Sequence, residues 1–265
     1  MDASTEITKF TIVIIQSLKD KDLKTGKLLY EDLSALLPIK HPDTSVKFYD
    51  VKNKKELAET FYKIYNEIED GELITLQIET HGCEDGVVLA SGEFVTWKEF
   101  LGIIRPINEK MLNLLLVCMS MCYGGALISQ FEPEKRAPYR AFIGTGDTIK
   151  PQVLLDGFNA FYDNYHHLLD SFAAFEAMKK ATIDASKGRS PFWMMTSEDV
   201  FQRTLDPDRD PANFKHIVNE QYVKQKYGGK DVTWEQVATE VRKFLTETYK
   251  RYYENFTFRD LIPKG

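Results

Sequence analysis

Two stretches decide how this chain folds: Leu73-Ile74-Thr75-Leu76-Gln77-Ile78-Glu79-Thr80-His81-Gly82 and Leu114-Leu115-Leu116-Val117-Cys118-Met119-Ser120-Met121-Cys122-Tyr123-Gly124-Gly125. Each is a short apolar run that opens onto a reactive side chain followed by glycine. Apolar runs of this length are too short for helices and suit strands buried on both faces. In parallel α/β sheets ligands and chemistry gather at the C-terminal strand ends, where loops leave a rigid scaffold. If the two strands are neighbours, His81 and Cys122 emerge side by side.

Working outward, Phe10 to Ile15 (FTIVII) reads as a central strand and Ser45 to Val51 (SVKFYDV) as another. Ala141 to Thr145 (AFIGT) and Phe192 to Met195 (FWMM) complete six. Helices are predicted between them: one with Leu29, Leu33, Leu36 and Leu37 on one face, stopped by Pro38, and one with Leu57, Phe61, Ile64, Tyr65 and Ile68. Gly86 to Val95 predicts a hairpin turning at Ser91-Gly92, with a helix over Trp97 to Ile104. Alternation of this kind gives an α/β fold, a mainly parallel sheet covered on both faces. Past residue 202 the strand signal stops. The turn-rich Asp206-Pro207-Asp208-Arg209-Asp210-Pro211 marks a boundary, and Thr233 with Gln236 begins a long helix as a capping box. The division expected is a core over 1–202 and a helical C-terminal extension over 203–265, packed on that core.

Composition narrows the class. A hydrophobic content of 43% predicts a packed core, and the net charge of -6 argues against nucleic acid or an anionic membrane as partner. No segment is long and apolar enough to span a membrane, and the start Met1-Asp2-Ala3-Ser4-Thr5-Glu6 is wrong for a signal peptide. Three cysteines are an odd number, which points to a reducing, cytoplasmic setting rather than a disulfide framework.

A cysteine and a histidine at adjacent strand ends suit nucleophilic acyl transfer. The thiolate attacks, so Cys122 needs an environment that favours the anion; a helix starting after Gly124-Gly125 would offer its N-terminus. His81 is placed to protonate a leaving amine near neutral pH. The Gly82 and Cys122 N–H groups are the candidate oxyanion donors, and Gly82 leaves room for a substrate backbone. No side chain is evident as a third member, and a backbone carbonyl could orient His81. Cys118, four residues earlier, falls inside the apolar strand, where a thiol is inert; Cys83 has nothing to activate it.

These residues resemble the caspase family and its wider clan, including metacaspases and the bacterial caspase-like and CHAT peptidases. The likeness runs over roughly 9–202 and is most specific at 74–125, in His81-Gly82 with its hairpin and in Met121-Cys122-Tyr123-Gly124-Gly125. Met194 to Phe201 resembles the end of the last caspase strand and its exit. Ser120-Met121-Cys122-Tyr123-Gly124 departs from the caspase Gln-Ala-Cys-Arg-Gly toward the Cys-x-Gly of prokaryotic relatives. The resemblance implies a three-layer α/β/α sandwich around a six-stranded sheet and a cysteine endopeptidase with a His81–Cys122 dyad, acting on a protein or peptide. It implies no cofactor and no metal. By position, Asp147 is similar to the acidic residue with which metacaspases and separase-like enzymes bind a basic P1 side chain; a turn or helix cap is its other reading. Acidic P1 would need a cation from the first loop, Lys24 or Lys27. Phe131 to Arg140 is short for an activation linker, so a single chain is expected, with Lys135-Arg136 read as an exposed charged loop rather than a nicking site. With no receptor or death-type domain attached, regulation is expected from an activating partner protein. The second reading is a catalytically silent scaffold of the same fold.

Other clusters fail as sites. Asp163, His166, His167 and Asp170 read as a solvated helix face. Asp206, Asp208 and Asp210 begin like a calcium loop, but Pro211 stands where glycine is needed and no glutamate closes it.

Overall fold

The β-branched run near the start forms β1 (Lys9–Ser17), whose residues from Phe10 onward are all buried. The computed structural model describes residues 9–40, 42–165, 171–184 and 187–261, with Pro38 and Lys40 as backbone alone. After β1 come α1 (Thr25–Lys40), β2 (Thr44–Asp50), α2 (Lys54–Glu67) and β3 (Glu72–Cys83). A hairpin follows, β4 (Gly86–Val88) and β5 (Phe94–Thr96), then α3 (Trp97–Lys110) and β6 (Leu116–Ser120). A 3-10 helix (Gly124–Gln130) leads to β7 (Ala141–Thr145), α4 (Pro151–Tyr165), α5 (Ser171–Ala181) and β8 (Phe192–Thr196). The chain closes with α6 (Ser197–Leu205), α7 (Pro211–Tyr227) and α8 (Trp234–Thr257).

The main sheet runs β2-β1-β3-β6-β7-β8, with the β4–β5 hairpin continuing from β3. All of its pairs are parallel except β7 with β8. Helix α1 packs on α4 and α4 on α5, while α2 packs on α3. This α/β architecture is the expected one. In the sheet β3 and β6 are direct neighbours, and their register ends at Glu79 opposite Ser120. His81 and Cys122 each stand two residues beyond that pair, which sets them at one height on one sheet edge.

Local chemistry explains where the elements begin. Asn53 caps α2 by accepting from the Glu56 N–H, and Thr96 with Glu99 closes a full capping box on α3. The Thr233–Gln236 box likewise opens α8. Three expectations need correcting. Pro38 does not stop α1; it falls in the last turn, where a proline costs one ladder bond rather than a helix. Helix α3 runs through Pro106 to Lys110, because its buried face Phe100, Leu101, Ile104 and Ile107 continues past the proline. Leu36 and Tyr65 were placed on buried faces and are 43% and 38% exposed.

A second apolar cluster lies beside the main core. It gathers Phe201, Leu205, Val218, Val237, Val241, Leu245, Phe256 and Phe258 together with Ala137. Helix α6 runs across the expected division at 202/203, so Phe201 and Leu205 join strand-bearing core to extension.

Candidate functional site

The site begins with β3, which does not stop before its histidine. It continues through His81, Gly82 and Cys83, which pair with Val88, Val87 and Gly86 of the hairpin. His81 is therefore held by strand backbone rather than by a free loop, and its side chain remains 52% exposed. Asp22, in the turn between β1 and α1, meets it: His81 Nε2 lies 2.8 Å from Asp22 Oδ2. The same oxygen accepts the Lys19 N–H at 2.8 Å. The bond to His81 is the leading reason that the Asp22 carboxyl is held below its ordinary range. Sequence reading found no third group, because nothing in Lys19-Asp20-Lys21-Asp22 marks one acid among several charges.

On the facing side, β6 ends at Ser120 and the chain turns sharply. Tyr123 takes a left-handed conformation at φ 55°, unusual for a residue with a side chain. Its N–H donates to the Asp147 carbonyl at 3.3 Å, and Thr145 Oγ1 donates to the Met121 carbonyl at 2.9 Å. These bonds tie the Cys122 turn to the end of β7. The helix expected after Gly124-Gly125 is a 3-10 helix of seven residues, too short and tight to lend much of a dipole. What faces the sulfur is backbone: the Ile149 N–H donates to Cys122 Sγ at 3.4 Å, and the thiol donates to the Ile149 carbonyl at 3.7 Å. Ile149, too, went unmarked in the sequence. Cys122 is half-buried, whereas Cys118 is fully buried and burial pushes its thiol up to about 12. Cys118 is closed off from solvent, as its place inside the strand implies.

The space beside Gly82 is already taken. A Cβ there would lie 2.2 Å from the Cys122 carbonyl oxygen, so the Cys122 turn, not a substrate backbone, fills the space. The consequence is the closeness of the two strand ends. No hydrogen bond joins His81 to Cys122: the imidazole is engaged by Asp22 and the sulfur by Ile149. Catalytic hydrogen bonds are often long without substrate and tighten when it binds. The Cys122 N–H donates to no protein group among the described residues.

A cleft of about 860 Å³ opens between the Thr145–Lys150 loop and the segment before β8, with Trp193 and Phe192 in its wall; neither Cys122 nor His81 lines it, and Ile149 is the lining residue that touches Cys122. Asp147 lies on its rim, exposed, and its Oδ1 accepts the Thr148 N–H at 2.6 Å. Thr148 Oγ1 lies 3.3 Å from the same oxygen. Lys150, Lys187 and Arg189 line the same cleft. Of the first-loop cations, Lys24 donates to the Leu18 and Lys19 carbonyls at 2.7 Å each, and Lys27 sits 3.8 Å from Glu31. His166, His167 and Asp170 lie outside the described residues. Among the described residues no group of three His, Cys, Asp or Glu side chains is arranged to hold a metal, and no helix is long and apolar enough to cross a membrane.

No family model and no curated protein matches the chain. Among solved structures, the Drosophila initiator caspase Dronc matches with a TM-score of 0.53 at 9% identity, over 72% of this chain and 80% of that one. The fold is caspase-like. At this identity the likeness carries the fold alone and selects no branch of the clan, prokaryotic or other. A caspase-like sheet with a histidine and a cysteine at its two central strand ends is a scaffold compatible with cysteine peptidase chemistry.

Proposed function

We propose that the chain is a cysteine endopeptidase with His81 and Cys122 as its catalytic pair. The observation that carries this reading is the β3–β6 register, which sets a half-exposed imidazole and a half-buried thiol level at the edge of the sheet. Cys122 Sγ attacks the scissile carbonyl, and the Cys122 and Gly82 N–H groups receive the oxyanion. His81 passes the thiol proton to the leaving amine, and water then hydrolyses the thioester.

Asp147 is proposed to receive a basic P1 side chain. Support comes from its exposed place on the cleft rim, and from the commitment of Lys24 and Lys27 to other groups. Lys150, Lys187 and Arg189 in the same cleft favour a second reading, in which an acidic side chain is bound instead. A panel of peptides with Arg, Lys or Asp at P1, run on the full chain and on Cys122→Ala, separates them. Cleavage after Arg and Lys, absent in the variant, is the expected result. Negligible cleavage of every peptide by both proteins would leave only a silent scaffold.

A further inference from the structure

We propose that Asp22 is a positioning residue of this site: its carboxylate fixes the His81 ring so that Nδ1, not Nε2, exchanges the proton with Cys122. The inference rests on the peptidase reading of the pair. A carboxylate only accepts, so the nitrogen 2.8 Å from Asp22 Oδ2 carries the hydrogen. Nε2–H is then committed, and the ring's other nitrogen is left for the sulfur.

The acid is placed by its own loop, independently of the histidine. Asp22 N–H donates to the Lys19 carbonyl at 2.9 Å, while Lys19 N–H donates back to Oδ2 at 2.8 Å. The Lys24 ammonium fastens this turn through the Leu18 and Lys19 carbonyls. The carboxylate is 19% exposed against 52% for the imidazole. A half-exposed ring on a strand turns freely about its side-chain bonds unless something holds it, and among the described residues Asp22 is the hydrogen-bond partner it has.

The proton path closes. Cys122 gives its proton to His81 Nδ1, and the thiolate bonds to the substrate carbonyl carbon. Nδ1 returns that proton to the amine nitrogen as the C–N bond breaks. Nδ1 then takes a proton from water as its oxygen attacks the thioester, the C–S bond breaks to release the acid, and Nδ1 hands that proton to the departing sulfur, restoring the thiol. Asp22 gains no proton at any step.

The test uses the full chain as wild type, Asp22→Ala and Asp22→Asn. The rate of Cys122 alkylation by iodoacetamide at pH 7 is read site by site by mass spectrometry, with Cys83 as internal reference and thermal midpoints measured in parallel. Asp22→Ala should alkylate about tenfold more slowly at Cys122 alone, and should lower kcat by about 10- to 100-fold with KM nearly unchanged. Asp22→Asn, which keeps a carbonyl acceptor, should recover part of both. Equal Cys122 alkylation in a folded Asp22→Ala protein and in wild type overturns the role of Asp22. Wild type that cleaves no peptide overturns the peptidase reading instead, and alkylation alone then decides on Asp22.

Discussion

Glu79 stands two residues before His81, buried beneath the site. Its carboxyl accepts from Thr25 Oγ1 at 2.6 Å and from Gln77 Nε2 at 2.7 Å, and Gly26 packs so tightly that a Cβ there would lie 2.8 Å from Glu79 Cγ. Burial pushes this carboxyl up from 4.5 to about 7. The folded state therefore holds a proton that the unfolded state has already released between those values. Its stabilising effect is complete below pH 4.5 and is lost as pH rises through 7. The shift corresponds to about 3 kcal/mol. Urea midpoints of wild type and Glu79→Gln should diverge across that window, with the variant gaining relative to wild type at pH 8; parallel curves would contradict it. Gly82 supports a second prediction at this scale. Gly82→Ala drives a methyl into the Cys122 carbonyl, and should cost about 1–3 kcal/mol in chemical denaturation and most of the peptidase rate.

At the scale of elements, the Cys122 turn depends on two glycines, one packed against an indole and the other against the first glycine's backbone. A Cβ on Gly125 would lie 2.0 Å from the Trp193 ring, and one on Gly144 would lie 2.8 Å from the Gly125 nitrogen. The ends of β6, β7 and β8 can approach this closely only without side chains at those positions. Trp193 is held in turn by an edge contact with Phe142, ring centres 5.1 Å apart. Gly125→Ala should displace the indole, lowering stability by about 1–3 kcal/mol and shifting tryptophan emission. An unchanged spectrum and melting curve would mean that the turn adjusts without the indole.

Over the whole molecule, the C-terminal extension grips the segment between the 3-10 helix and β7. Ala137 N–H donates to the Asn255 carbonyl at 2.8 Å, and Asn255 Nδ2 donates to the Pro133 carbonyl at 3.0 Å. The Arg136 guanidinium pairs with Asp260, donates to the Glu254 carbonyl and lies over the Phe258 ring. Phe131 packs at a tilt on Phe256 with ring centres 5.3 Å apart, and Phe256 stacks on Phe201 at 4.6 Å. Lys135-Arg136 is thus a fastened segment, and trypsin should spare the bond after Arg136 in wild type. Phe256→Ala should cost about 3–5 kcal/mol and open that bond to limited proteolysis. Cutting at equal rates in both proteins would show that the extension does not hold the segment.

The α/β class, the parallel strands and both strand ends were legible in the sequence because they follow from local pattern: apolar runs of strand length, helical spacing and glycine after the reactive residues. His81 and Cys122 were found in this way, and Cys118 was set aside on the burial the structure bears out. The remainder arises from contacts that no local pattern encodes. Asp22 reaches His81 across 59 positions, Ile149 reaches Cys122 across 27, and Gly82 answers to a carbonyl in the turn after β6. The sequence by itself determined the strand ends and the reactive side chains that stand on them. Only the tertiary structure decided which acid meets the imidazole, what faces the sulfur and what holds the 131–140 segment, because those depend on distances between segments remote along the chain.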